Sequence, residues 1–138
     1  IPKINSFNND DLLLLDRFSN NLDILVKYID SQDLNSYMNF VIESLFLANK
    51  YFNDQEPWKK KSDQLRLNTI VYVSLEVIRK ISILLYPVIP NSSLKVLGIF
   101  NILEKNISFN TIKNHNELIA NNKINKINIL FKKVEKDD

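Results

Sequence analysis

The 138-residue chain is 45% hydrophobic and 25% charged, the balance of one ordinary globular domain that is long enough to bury its own core without a metal or disulfide staple. With no cysteine and one histidine, His115, it excludes disulfides, thiolate zinc sites and His-rich metal sites, and any nucleophilic relay would rest on that one imidazole. One glycine, Gly98, excludes Gly-rich phosphate loops and argues against a hairpin-rich β fold, while a net charge of +2 is too small to mark a nucleic-acid binder by bulk charge.

No apolar run approaches the roughly 18–20 residues of a membrane span, and IPKINSFNND lacks the layout of a signal peptide. A soluble cytoplasmic protein with no membrane partner is expected. The chain opens with Ile1 rather than Met, which suggests a trimmed fragment or a processed product.

Asn8 or Asn9 can cap a helix whose first turn holds Asp10 and Asp11, favourable against the helix dipole. Leu15, Phe18, Leu22, Leu25 and Ile29 recur at helical steps and predict one amphipathic helix from about residue 9 to about residue 30. A second helix, capped by Ser31 or Asp33, carries Leu34, Met38, Val41, Leu45, Ala48 and Phe52 on one seam and is stopped by Pro57. Tyr37, Phe40, Leu47 and Tyr51 run beside that seam and widen the apolar face beyond a two-helix contact.

Gln64 to Tyr86 forms the most apolar segment, with a seam of Leu67, Val71, Ser74, Ile78, Ile81 and Leu85. Its β-branched piece TIVYVSLEVI could form a strand, but its length and the clustering of Glu76, Arg79 and Lys80 on one face favour a helix. Ile70, Val73, Val77 and Leu84 are apolar off the seam, so this helix needs neighbours on several sides, and three helices leave room for an unseen fourth element. Pro87 and Pro90 end it, and Asn91 or Ser92 can cap a short helix with Leu94, Leu97, Ile99 and Phe100. From Glu104 the periodicity is poor. The expectation is one all-α domain over residues 1–138, with a bundle over about 9–103, an irregular strap over about 104–138 and a solvated end from Lys132.

Trp58, the only tryptophan, follows Pro57 in an interhelical loop beside Lys59, Lys60 and Lys61. A flat ring next to ammonium groups suits a splayed-out RNA base, with stacking on the indole and the lysines near phosphates. From composition alone the more economical reading is that Trp58 plugs the end of the bundle while the lysines solvate a loop. Asp16, Glu43, Glu56, Asp63 and Glu76 are expected on outer faces as solvated charge, and His115 as solvent-exposed. Tyr28, Tyr37, Tyr51, Tyr72 and Tyr86 are expected to pack with their hydroxyls on a partner. The basic end KINKINILFKKVEK reads as a packing strap more than a phosphate contact.

At ANKYFNDQEPWKK the sequence resembles the anticodon-binding domain of methionyl-tRNA synthetases, with Asn49, Tyr51, Pro57 and Trp58 in place. LLYPVIPNSSLKVLGI is similar to a second stretch of that family through Leu85, Pro87, Pro90, Leu97 and Gly98, with Val88 and Ile89 in place of Phe and Met. KINKINILFKKVE resembles the family's closing segment through Ile124, Lys126, Leu130, Phe131 and Glu135, but Ile127, Ile129 and Lys132 replace its prolines. Three motifs in order over about residues 9–135 make the likeness specific.

The resemblance implies a helical bundle of the class I synthetase anticodon-binding type that recognises the CAU anticodon loop of methionine tRNA. There Trp58 would stack on an anticodon base, Pro57 would shape its loop and Lys59, Lys60 and Lys61 would lie beside the RNA. The same likeness implies a catalytic domain of the same parent chain that attaches methionine with ATP and Mg, no cofactor in this chain, and no catalytic residue here. The family's anticodon-reading Asn and Arg belong to a first helix that this chain lacks, and the HIGH and KMSKS signatures are absent. A fragment inactive on its own in aminoacylation is expected. A helical protein-interaction adaptor without RNA binding is the alternative, and a free-standing enzyme built on a carboxylate pair is a distant third.

Overall fold

The computed structural model describes residues 1–4, 6–115, 117–118 and 123–125. Five helices, α1 (Asn9–Asn20), α2 (Leu22–Asp30), α3 (Leu34–Gln55), α4 (Gln64–Leu85) and α5 (Pro90–Ile99), are followed by two 3-10 turns, Glu104–Asn106 and Phe109–Lys113. No strand occurs among the described residues.

The cap chemistry explains the starts. Asn8 accepts from the Asp11 amide at 3.0 Å and its own amide donates to Asp11 at 3.0 Å, a reciprocal capping box. Asp33, not Ser31, caps α3 by accepting from the Ser36 amide at 3.1 Å, and Asp63 caps α4 through the Arg66 amide at 3.1 Å. α5 begins differently from expectation: Pro90 occupies its first turn and neither Asn91 nor Ser92 is the cap.

The first predicted helix is two helices. At the break, the Asn21 side chain donates to the Arg17 carbonyl at 2.7 Å and the Ser19 hydroxyl donates to the Asp16 carbonyl at 3.2 Å. Such short polar side chains compete with the backbone for helix carbonyls, and Ser19, Asn20 and Asn21 in succession let the chain turn.

The core joins Leu15, Phe18, Leu22 and Leu25 of α1 and α2 to Tyr37 and Val41 of α3, to Ile70, Val73, Val77 and Leu84 of α4, and to Leu97 and Ile112. Both expected seams are therefore rotated. On α3 the buried stripe is Tyr37, Val41, Ser44 and Tyr51, while Leu34, Leu45 and Phe52 are exposed. On α4 the off-seam residues Ile70, Val73, Val77 and Leu84 are fully buried, whereas Ile78 is exposed. α4 packs against α1, α3, α5 and the Phe109–Lys113 turn, which cover much of its apolar surface but leave Ile78 exposed. The apolar side chains left over line a groove of about 420 Å³ between α3 and α4, with Leu45, Phe52 and Ile78 on its walls.

Glu76 corrects the expectation of a solvated carboxylate, because it is fully buried with Arg79 and Lys80. Arg79 donates to Glu76 Oε2 at 2.8 Å and to the carbonyls of Thr111 and Asn114 at 3.1 and 2.9 Å. Lys80 donates to the carbonyls of Ile112 and Asn114, and the Leu118 amide donates to Glu76 Oε1 at 2.8 Å. This polar face of α4 thus grips Thr111, Ile112, Asn114 and Leu118 instead of meeting water. His115 is likewise not solvent-exposed: its Nε2 sits 2.8 Å from Asp16 and its Nδ1 3.4 Å from Lys80 Nζ. Four tyrosine hydroxyls find partners as expected: Tyr37 on the Leu84 carbonyl, Tyr51 on Asp11, Tyr72 on the Leu118 carbonyl and Tyr86 on Glu104. The closing motif from Lys126 onward, with Leu130, Phe131 and Glu135, and the solvated end from Lys132 lie outside the described residues.

Candidate nucleic-acid interface

The residues between α3 and α4 fold into successive tight turns. Glu56 adopts left-handed backbone angles, φ 48° and ψ 58°, and ends α3 one residue before the proline. Pro57 then opens a 3-10 turn, Pro57–Lys59, and is buried. Backbone bonds Lys59 to Glu56 at 2.9 Å, Lys60 to Pro57 at 3.1 Å and Asp63 to Lys60 at 3.0 Å close the loop onto the cap of α4. A non-glycine residue held in the left-handed region is strained, and such strain persists where the surroundings dictate the path.

Trp58 rides on this turn with 51% of its surface exposed, so it does not plug the end of the bundle. Its ring lies 6.3 Å from that of Phe52, tilted by 58°, and Phe52 is itself exposed. Two neighbouring aromatic faces therefore meet solvent at the loop. Lys59 is engaged with Glu56 at 3.3 Å, a mostly exposed pair that contributes little stability. Lys61 is exposed and Lys60 half-buried, and neither forms an ion pair among the described residues. Asn49 is exposed on α3, whereas Tyr51 is buried beneath the loop.

Beneath the loop lies a cluster that the sequence did not disclose. Arg66 on α4 donates to both oxygens of Asp11, at 2.8 and 2.9 Å, and to Gln55 Oε1 at 2.6 Å. Tyr51 donates to Asp11 Oδ1 at 2.6 Å, and Gln55 donates to Asp10 at 3.3 Å. Asp11 is fully buried, and each of its oxygens accepts two hydrogen bonds. Burial pushes its carboxyl upward, but the bonds from Arg66, Tyr51 and Asn8 outweigh this and hold it below the usual carboxylate range. Burial and the Asp11 carboxylate together push the Tyr51 phenol well above its ordinary value, so it stays a donor. The signal for this cluster was indirect: antiparallel α1 and α3 bring Asp11 to the same end of the bundle as Tyr51, Gln55 and the start of α4.

Among the described residues no group of three or more His, Asp or Glu side chains is placed to hold a metal ion, and no helix is long and apolar enough to cross a membrane.

The described residues form an all-α bundle with an exposed tryptophan on the turn between its two longest helices, the arrangement that the resemblance to helical anticodon-binding domains leads one to expect. The family model described as the anticodon binding domain of methionyl tRNA ligase matches residues 1–138, and the chain belongs to that family. Methionine–tRNA ligase of Brucella suis is 34% identical over 103 residues, spanning 74% of this chain and 20% of that protein. The ligase of Pyrococcus furiosus is 30% identical over 139 residues, 99% of this chain and 18% of its own length. The apo crystal structure of Mycobacterium tuberculosis methionyl-tRNA synthetase superposes with a TM-score of 0.88 at 26% identity, covering 99% of this chain and 28% of that one. The chain thus spans about a fifth of the relatives that it matches, and the match falls on their anticodon-binding part. Nothing in these similarities supports the adaptor reading.

Proposed function

We propose that this chain recognises the CAU anticodon loop of methionine tRNA, as one part of a cytoplasmic methionine–tRNA ligase whose catalytic domain, in the same parent chain, attaches methionine. The observation that carries the reading is the half-exposed Trp58 indole on a hydrogen-bonded turn, with Phe52 beside it. An unstacked anticodon base would lie on the indole, and stacking of this kind contributes about 1–3 kcal/mol per base. Lys60 and Lys61 would face the phosphates, a contribution that falls as salt rises. Lys59 would join them once released from Glu56, and Pro57 fixes the turn that presents the ring. ATP and Mg would act in the catalytic domain, which supplies adenylation and transfer. With one glycine this chain has no phosphate cradle of its own, and it forms no methionyl-tRNA alone.

The test is the affinity for a CAU anticodon stem-loop against one with a changed first anticodon base, at one stated salt concentration. The reading expects the CAU stem-loop to bind at least about tenfold more tightly, the scale of one lost base contact. Equal, weak and salt-sensitive binding of both overturns it.

A further inference from the structure

The Trp58 ring rests on Phe52 of α3, while its loop runs on into α4, so the place of the indole depends on how the two helices are held apart. The residues that hold them are those around Asp11. Gln55 is the last residue of α3 and Arg66 lies in the first turn of α4; they bond each other at 2.6 Å and so clamp both stems of the loop. Both are also tied to α1, Arg66 through Asp11 and Gln55 through Asp10.

Stability alone does not call for this arrangement. A buried carboxylate and its partner are often replaced by well-packed apolar side chains without loss. What a guanidinium adds is a planar fork with fixed bond directions, which neither a lysine nor an apolar side chain reproduces. Here the fork takes both oxygens of one fully buried carboxylate and still reaches Gln55. The four acceptor directions of Asp11 are filled by Arg66 twice, Tyr51 and the Asn8 amide, leaving the cluster one way to close.

We infer that Arg66, held by Asp11 and Gln55, is a positioning residue for RNA recognition: it fixes the two stems of the loop so that Trp58 is presented to the base without touching RNA itself. The inference rests on the reading of Trp58 as the RNA contact. Binding groups must be pre-set within a fraction of an ångström to act fully, so loosening the clamp weakens binding while leaving the aromatic surface in place.

A double-mutant cycle tests this, with CAU stem-loop affinity at fixed salt measured for the wild-type chain, Arg66→Lys, Trp58→Ala and the double variant. Arg66→Lys keeps the charge and removes the fork. The expected result is a loss of about fivefold or more for Arg66→Lys in the wild-type background, and no further loss, within about twofold, once Trp58 is alanine. In parallel, the fluorescence anisotropy of Trp58, the only tryptophan, should fall in Arg66→Lys. A loss of the same size in both backgrounds overturns the inference, because Arg66 would then act on RNA independently of Trp58. An unchanged affinity in the wild-type background overturns it as well. If Trp58→Ala itself binds as tightly as wild type, the reading of Trp58 fails first and the positioning role falls with it, a result distinct from the other two. Should Arg66→Lys not fold, Gln55→Leu serves in its place: it cuts the tie to the end of α3, leaves the Asp11–Arg66 pair, and should show the same dependence on Trp58.

Discussion

Replacing Glu76 by alanine separates the buried cluster on α4 from an ordinary surface carboxylate. Glu76 is fully buried, its Oε2 lies 2.8 Å from Arg79 Nη2 and 4.0 Å from Lys80 Nζ, and its Oε1 accepts the Leu118 amide at 2.8 Å. Removing the carboxylate leaves two buried cations without their counter-charge and one amide without an acceptor. Breaking a buried pair in this way costs about 3–5 kcal/mol, against a total stability on the order of 10 kcal/mol for a chain of this length. The melting temperature should fall by roughly 10 °C or more, at about 3 °C per kcal/mol. Urea unfolding and thermal melts followed by far-UV circular dichroism measure both quantities. Glu76→Gln, which keeps the acceptor for Leu118 but not the charge, should lie between alanine and wild type. A surface glutamate would change stability by only about 0.5 kcal/mol, so a loss below about 1 kcal/mol for Glu76→Ala would refute the buried cluster and the docking of Thr111, Asn114 and Leu118 upon it.

Burial pulls the Lys80 amine down from 10.5 to about 8, so between these values the unfolded chain holds a proton that the folded one has released. Stability should therefore rise with pH from about 8 toward 10 in chemical denaturation, and a fall over that window would contradict the burial of Lys80. Burial pushes Tyr37, Tyr51 and Tyr72 above their usual 10.0, Tyr72 to about 12, so stability should drop again above about pH 10, where unfolded phenols ionise first. Gly98 lies in α5, its backbone does not need glycine, and among the described residues a Cβ there meets nothing within 4 Å. Gly98→Ala should stabilise by about 0.5 kcal/mol, and a destabilisation of that size would show that the added methyl is not tolerated. Glu56→Gly should relieve the left-handed angle at φ 48° and stabilise by about 1 kcal/mol despite losing the exposed pair with Lys59; a loss of similar size would place the value of Glu56 in its side chain.

The parts of the fold legible in the sequence were those written locally. Asn8 and Asp33 announce helix starts through a side-chain acceptor, and Pro57 and Pro87 announce ends through a missing amide proton, whereas the cap supplied by Asp63 came only with the structure. The register of α1 and α2 was legible, since Leu15, Phe18, Leu22 and Leu25 are all buried, but that of α4 was not, because apolar residues lie both on and off its expected seam and periodicity then fails to select the inward stripe. Glu76, Arg79 and Lys80 looked like a solvent face because the segment that covers them lies more than thirty residues later and shows no clear period. The sequence places Asp11 in the first turn of α1, favourable against the helix dipole, but its pairing with Arg66, 55 positions away, is a product of the bundle's topology. Trp58 stood out as a single large aromatic after a proline and before three lysines, yet its exposure and its contact with Phe52 depend on the turn that only the fold defines.

Because the chain has one tryptophan, its emission reports on Trp58 alone, and titration with a CAU anticodon stem-loop at fixed salt is the most direct test of base stacking at the loop. Saturable quenching of that emission, with a midpoint matching the affinity measured on labelled RNA, is the predicted result. RNA binding that saturates while Trp58 emission stays unchanged would contradict it and place the contact elsewhere on the bundle.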